Sequence, residues 1–254
     1  MQAYGKPFAR VYDARWGAFT DSVAPKIEAL FATAKAELKL PAVLLDLCCG
    51  TGNLAYYFLR KGYSVEGIDL SPAMIEYAVQ RNQEFVNAGK ASFSVQDAAS
   101  FSIEHEVSFI TCLYDALNHL PTMDAISSCI QSAFGSIGRR GMFLFDINTA
   151  KCLLAWNKVS IQEDEEIYLT TKSIYDPSMD RAYAQIMGFV RDHEGKYERY
   201  SETIYNLKLS TERILSIAKG VGFQTAYCAD IQDLAVPVDD PESLKRAFFV
   251  CRKQ

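Results

Sequence analysis

The segment Val43-Leu-Leu-Asp-Leu-Cys-Cys-Gly-Thr-Gly-Asn-Leu-Ala55 constrains this chain more than any other. Val43 to Leu45 is a short, fully apolar run, as expected of a strand buried on both faces. It breaks at Cys48 to Gly52 into a glycine turn. Asn53 to Lys61 then reads as a helix that Gly62 ends. A strand, a glycine turn and a helix in immediate succession put the turn at the carboxyl end of a parallel strand, where open α/β sheets bind ligands. Glycine suits that place because a backbone passing against a ligand has no space for Cβ and can require positive φ.

The rest of the chain extends the same pattern. Pro25 to Leu40 shows helical spacing before the first strand, and Pro41 stops it. Ser64 to Asp69 is the second strand, with Ser71-Pro72 as N-cap and first helical residue of a helix running towards Asn87. Ala91 to Gln96 and Val107 to Leu113 are strands three and four. Met123 to Ile137 is a helix, and Gly141 to Ile147 a fifth strand. This alternation predicts an α/β fold with a doubly wound, mostly parallel sheet. The texture then changes. Ile167 to Tyr175, Arg181 to Val190 and Tyr197 to Leu209 alternate polar and apolar residues, with turns at Asp176-Pro177 and Glu194-Gly195. They predict a three-stranded antiparallel meander. Ser210 caps a helix to Lys219, and Phe223 to Cys228 and Ala247 to Arg252 are the last strands. The expectation is one domain over 1–254, with a helical lead-in or lid at 1–40 and an antiparallel insert at 160–209, the latter a substrate lid or a homodimer surface.

Composition narrows the partners. The 254 residues are 49% hydrophobic and 22% charged, enough apolar material for a sizeable core. Net charge is −5, and no basic run is longer than a pair such as Arg139-Arg140 or Arg252-Lys253. A nucleic-acid backbone normally needs a basic face, so a small-molecule partner is expected. No apolar run approaches the roughly 20 residues of a membrane span, and the opening MQAYGKPFARVYDARW lacks the apolar centre of a signal peptide. The seven cysteines show no metal spacing and read as buried thiols in a reducing cytoplasm, so no metal site is expected.

The chemistry turns on acidic residues near the glycines. Gly50-x-Gly52-x-x-Ala55 with Asp69 also fits a dinucleotide fingerprint, in which Asp69 accepts ribose hydroxyls. An NAD(P)-dependent oxidoreductase is therefore one alternative. Asp46 weighs against it. A carboxylate at the tip of the first strand repels a pyrophosphate and suits a ligand carrying an ammonium and a sulfonium. After the fourth strand, the stretch Tyr114 to His119 leaves towards the ligand face. His119 is the best of the three histidines for a general base, since imidazole titrates near neutrality; packing or capping is the plain alternative. In the meander, Tyr175, Arg181, Tyr183, Arg191, Arg199 and Tyr200 are candidates to shape an acceptor pocket.

DLCCGTG followed by GIDLSPAMIEYA resembles the first two motifs of the class I S-adenosylmethionine-dependent methyltransferases, in particular the methyltransferase-domain group acting on small molecules. VQDAASF around Asp97 and FITCLYDALNHLP continue the resemblance, which covers about residues 40 to 150 well. It implies a Rossmann-like fold, S-adenosyl-L-methionine as cofactor, and methyl transfer to an O or N atom of a small molecule. Asp46 and the turn Cys48, Cys49, Gly50, Thr51 and Gly52 would hold the methionine part. Asp69 would bind the ribose, Leu70 and Met74 the adenine ring, and Asp97 and Ala98 its amino edge. Leu113 would pack beside the reacting sulfur. Tyr12-Asp13 resembles the Tyr-Asp of an aromatic lead-in folded over the cofactor. Cys48 departs from the family pattern, which has glycine there. A non-enzymatic alternative is a binding module that keeps the cofactor fold without turnover.

Overall fold

The computed structural model describes residues 4–254. Helices α1 (Lys6–Arg15) and α2 (Gly17–Leu38) lead into β1 (Val43–Leu47), α3 (Asn53–Arg60), β2 (Ser64–Asp69), α4 (Pro72–Arg81), α5 (Gln83–Asn87) and β3 (Ala91–Val95). Then come β4 (Val107–Cys112), a 3-10 turn (Ala116–His119), α6 (Met123–Ser136), β5 (Ile137–Asn148) and α7 (Ala150–Leu153). The insert comprises β6 (Lys158–Glu163), β7 (Ile167–Ile174), β8 (Arg181–Arg191) and β9 (Tyr197–Leu207). The chain closes with α8 (Thr211–Val221), β10 (Thr225–Ala229) and β11 (Arg246–Arg252).

Seven strands form one sheet in the order β10-β11-β5-β4-β1-β2-β3. β1 to β5 run parallel, and β11 runs antiparallel to β5 and β10. All six residues of β4 are buried, the apolar ones on both faces and Ser108 and Thr111 among them. Apolar clusters fill both faces: Leu45, Ile110, Phe145 and Phe249 with α6 and α8 on one, and Leu44, Phe109, Leu144 and Phe248 with α2 and α3 on the other. The strand order reverses beside β1, so a crevice opens between the carboxyl ends of β1 and β4, where the connections leave in opposite directions.

Three expectations are corrected. The insert has four antiparallel strands, in the order β6-β7-β8-β9, and begins at Lys158. Every residue of β6 is exposed, so this edge strand lacks the buried-face alternation that marks its neighbours. The first long helix begins at Gly17 and runs through Pro25. Buried Val23 and Ala24 pay the burial that holds its early turns despite the missing proline N–H. The helix expected to reach Asn87 is broken at Asn82, whose amide nitrogen donates to the carbonyls of Gly52 (3.3 Å) and Ala78 (2.8 Å).

A third cluster joins α1 to the insert. Phe8, Ala9 and Val11 pack with Ala73, Met74, Ile167, Leu169, Ile186 and Tyr200. Helix α1 thus lies between α4 and the insert, above the crevice. Ion pairs fix it on both sides, Lys6 to Glu76 (2.8 Å) and Asp13 to Arg81 (2.5 Å), Arg10 to Glu198 (3.1 Å) and Arg15 to Asp164. Among the described residues no helix is long and apolar enough to cross a membrane, and no cluster of His, Cys, Asp and Glu could hold a metal ion.

Candidate active site

The glycine turn after β1 is left-handed at three alternate positions, Cys48 (φ 57°), Gly50 (φ 54°) and Gly52 (φ 75°). A Cβ on Gly52 would stand 2.7 Å from Asn82 Nδ2 and 3.0 Å from Ala78 Cα, so this glycine lets the turn approach α4. A Cβ on Gly50 would meet the Tyr12 ring at 3.3 Å. Cys48 takes the same conformation with a side chain, at a cost of about 1–2 kcal/mol. Arg81 Nε donates to the Thr51 carbonyl at 3.2 Å and ties the turn to the Asp13 pair on α1.

Two carboxylates flank this turn. Asp69, at the tip of β2, accepts from the backbone N–H groups of Gly50 and Ser71, each at 2.9 Å. Burial raises its pKa against the lowering by those hydrogen bonds. Asp46, 2% exposed, accepts from the Thr111 hydroxyl at 2.7 Å through Oδ1. Its Oδ2 is buried without a partner. Burial pushes the Asp46 carboxyl up to about 7, with Thr111 opposing. An orphaned buried acceptor is a costly feature for a fold to keep, and a cation donating to it removes that cost. The ammonium of S-adenosylmethionine fits this atom.

The opposite wall is built on the turn after β4. Tyr114 (φ 65°) and Asp115 (φ 51°) are both left-handed, and neither is glycine. Their backbone N–H groups donate to the Asp146 carboxylate of β5, at 2.7 and 3.0 Å. Arg246, from β11, donates to Asp146 and, at 2.9 Å, to Asp115 Oδ1, while its guanidinium lies over the Phe19 and Tyr114 rings. Burial opposes ionisation of Asp115, but Arg246 and His119 outweigh it and hold its pKa below the usual range. His119 Nε2 stands 3.3 Å from Asp115 Oδ2.

Between these walls lie two hollows sharing Tyr12, Cys48, Leu113 and Tyr114. The larger, about 150 Å³, is bounded by Asp69, Leu70, Met74 and Gly50 on one side and by His119, Leu120, Ile204 and Tyr205 on the other. The smaller, about 40 Å³, reaches Asp46, Cys49 and Thr51. Tyr12, stacked on Trp16 at 5.5 Å and edge-on to Tyr114 at 6.4 Å, stands between the two.

Of the residues singled out from the sequence, Tyr12, Asp46, Cys48, Cys49, Gly50, Thr51, Asp69, Leu70, Met74, Leu113 and His119 line one hollow or the other. Gly52 faces α4 instead. Asp97 is exposed beyond the end of β3, its Oδ1 accepting from Ala99 N at 2.9 Å, and Ala98 is buried in the core; neither borders a hollow. The six meander residues also stay outside. Tyr175 packs on Leu153, Arg191 pairs with Glu166, and Tyr200 packs on Phe8, while Ile204 and Tyr205 are the β9 residues that reach the cleft. Sequence reasoning missed Asp146 and Arg246. The signal was there: a single charge within each of the apolar strands FLFDIN and RAFFV, a pattern that calls for a buried partner.

Residues 44–135 match the family model described as methyltransferase domain. The chain is 26% identical over 222 residues to YqeM of Bacillus subtilis (strain 168), a candidate methyltransferase, with 86% of this chain and 87% of that protein covered. The solved structure of an S-adenosylmethionine-dependent methyltransferase from Clostridium acetobutylicum ATCC 824 superposes with a TM-score of 0.78 at 24% identity, covering 97% of each chain. The sugar N-methyltransferase KedS8 from Streptoalloteichus sp. ATCC 53650 superposes with a TM-score of 0.76 at 16% identity, covering 100% of this chain and 95% of that one. The two structural likenesses show the same overall fold. Residues 44–135 carry a methyltransferase domain, and the chain is an enzyme that uses S-adenosylmethionine and resembles the class I methyltransferases in fold.

Proposed function

We propose that this enzyme methylates an oxygen or nitrogen atom of a small, apolar-bodied molecule, with His119 taking the proton that the nucleophile loses. The observation that carries the reading is the pair of carboxylates beside one left-handed turn, half-buried Asp69 and buried Asp46, the latter with its Oδ2 unpartnered. Asp46 and the turn Cys48 to Gly52 would receive the cationic amino-acid part of the cofactor. Asp69 would accept the ribose hydroxyls, and Leu70 and Met74 would pack on the adenine. Asp97 and Ala98 follow Gln96, whose N–H donates to the Asp69 carbonyl at 3.1 Å, which suits them to the adenine's outer edge. When bound, S-adenosylmethionine supplies a methyl carbon on a sulfonium for in-line displacement, and the protein's share is alignment and water exclusion. Leu113 and the rings of Tyr4, Tyr12 and Tyr114 give the cleft dry walls. Among the described residues no lysine or arginine lines it, which supports an acceptor that is uncharged or cationic where it enters.

The test is thermal shift with S-adenosylhomocysteine and NAD in parallel, followed by a screen of amines and alcohols for S-adenosylhomocysteine production. Stabilisation by S-adenosylhomocysteine and its loss in Asp69→Ala are expected. Stabilisation by NAD alone sinks the reading, and so does an unchanged shift in Asp69→Ala for the ribose role. Full turnover in His119→Ala would remove His119 as the base.

A further inference from the structure

We infer that Asp115 and Arg246 are positioning residues for His119, with Asp146 the anchor that holds both in register. This rests on the reading of His119 as the base and adds how the fold prepares it. The Asp115 carboxylate has two duties. Oδ1 is gripped by Arg246 Nη2 at 2.9 Å, and Oδ2 faces His119 Nε2 at 3.3 Å. A carboxylate at Nε2 makes that nitrogen the N–H of the neutral ring and leaves the Nδ1 lone pair to accept a proton. Asn206 Nδ2 also stands 3.5 Å from Nε2, at the outer limit of a hydrogen bond and farther than the Asp115 oxygen.

Charge accounts for why a second aspartate is present. Arg246 carries one positive charge and faces two carboxylates, so the buried cluster has one negative charge in surplus. Asp146 is provided for by Arg246 and by two backbone N–H groups. The surplus therefore falls at Asp115, on the oxygen turned to His119. A proton gained at Nδ1 makes an imidazolium that neutralises the cluster, so transfer from the acceptor proceeds towards charge balance. A merely structural Arg–Asp pair would need neither the second carboxylate nor an oxygen left facing the ring.

The ring's own position is held by a chain of amides. Asn118, next to it in the 3-10 turn, accepts from Asn148 N at 2.9 Å and donates to the carbonyls of Asn148 and Leu207 at 3.0 and 2.9 Å. Asn148 Nδ2 donates to Asn206 Oδ1 at 3.1 Å. The turn bearing His119 is thereby pinned to β5 and β9, and Asp115 sets the ring's rotation and tautomer against that fixed frame. Neither Asp115 nor Arg246 needs to touch the acceptor.

Proton NMR of the imidazole N–H region tests this in the full chain without an acceptor, on protein alone and with S-adenosylhomocysteine. Wild type should show one downfield N–H resonance that is absent in His119→Gln, as expected for an imidazole N–H bonded to a carboxylate. Asp115→Asn should lose it, while S-adenosylhomocysteine affinity by calorimetry stays within about twofold, since the amide keeps the shape. Arg246→Lys should retain the resonance with exchange against water at least tenfold faster, because a point charge replaces the fork. Absence of the resonance from wild type, or its persistence unchanged in Asp115→Asn, overturns the inference. Either result alongside intact S-adenosylhomocysteine binding leaves the methyltransferase reading standing, whereas failure to bind S-adenosylhomocysteine strikes that reading alone.

Discussion

The turns after β1 and β4 are neighbours at the carboxyl end of the sheet's central strands, and both bend through left-handed backbone. They reach that shape by different means. The first uses glycine at Gly50 and Gly52 and satisfies itself largely through local backbone contacts, with Asp69 as near neighbour. The second puts Tyr114 and Asp115 at φ 65° and 51° without glycine, and depends on Asp146 and Arg246, remote in sequence, to hold it. A left-handed residue with a side chain costs energy that surrounding structure must cover. In return, the second turn can present a carboxylate and a histidine. Cofactor recognition needs close approach, which glycine provides; proton transfer needs functional groups, which glycine lacks.

Removing the external support should break the second turn most severely. Arg246→Met leaves two buried carboxylates uncompensated, and a loss of about 3–5 kcal/mol is expected. Urea unfolding monitored by far-ultraviolet circular dichroism measures it. A loss under about 1 kcal/mol would mean that the turn holds itself. In the first turn, Gly52→Ala adds a Cβ against Ala78 and Asn82 at left-handed φ, and about 3 kcal/mol should be lost together with S-adenosylhomocysteine binding. Calorimetry and thermal melting read both effects.

Asp46→Asn tests the carboxylate that the fold keeps for a ligand. Its pKa is about 7 folded, above the value of about 4 expected unfolded, so the native state binds the extra proton between those limits. Stability of the wild type should therefore fall as pH rises from about 4 through 7, by a few kcal/mol at most. The variant should lose that slope and melt higher at pH 8, while binding S-adenosylhomocysteine at least tenfold more weakly. Melting curves across pH, paired with titration calorimetry, separate the two consequences. A wild-type slope that survives in Asp46→Asn would assign it to another group. The smallest effect belongs to Cys48→Gly, which relieves a left-handed side chain and removes a small buried surface. These oppose each other, and a net change under about 1 kcal/mol with unchanged S-adenosylhomocysteine affinity is expected.

The contrast between the turns also explains what could be read beforehand. Asp46, the glycines, Asp69, Leu70 and Met74 lie within 29 residues of chain, and strand, turn and helix each leave local marks. The wall opposite gathers His119, Asp146, Tyr205 and Arg246 from four distant segments. His119 was visible as a candidate because it follows the fourth strand on the ligand face and imidazole suits a base. Its partner Asp115 sat in the same stretch, but nothing local says that an arginine on the last strand grips it. Strand β6 escaped for a related reason: with both faces exposed, its composition carries no burial signal.

Local pattern by itself determined the alternating strands and helices, the ligand-side turn and the acidic pair that favours a cationic cofactor, because each rests on residues close in sequence. Only the tertiary structure decided which charges meet. Register between β5 and β11, where Phe248 lies opposite Asp146, brings Arg246 within reach of Asp146 and Asp115. Such a meeting follows from how strands pair across the sheet, and burial then makes the partnership obligatory.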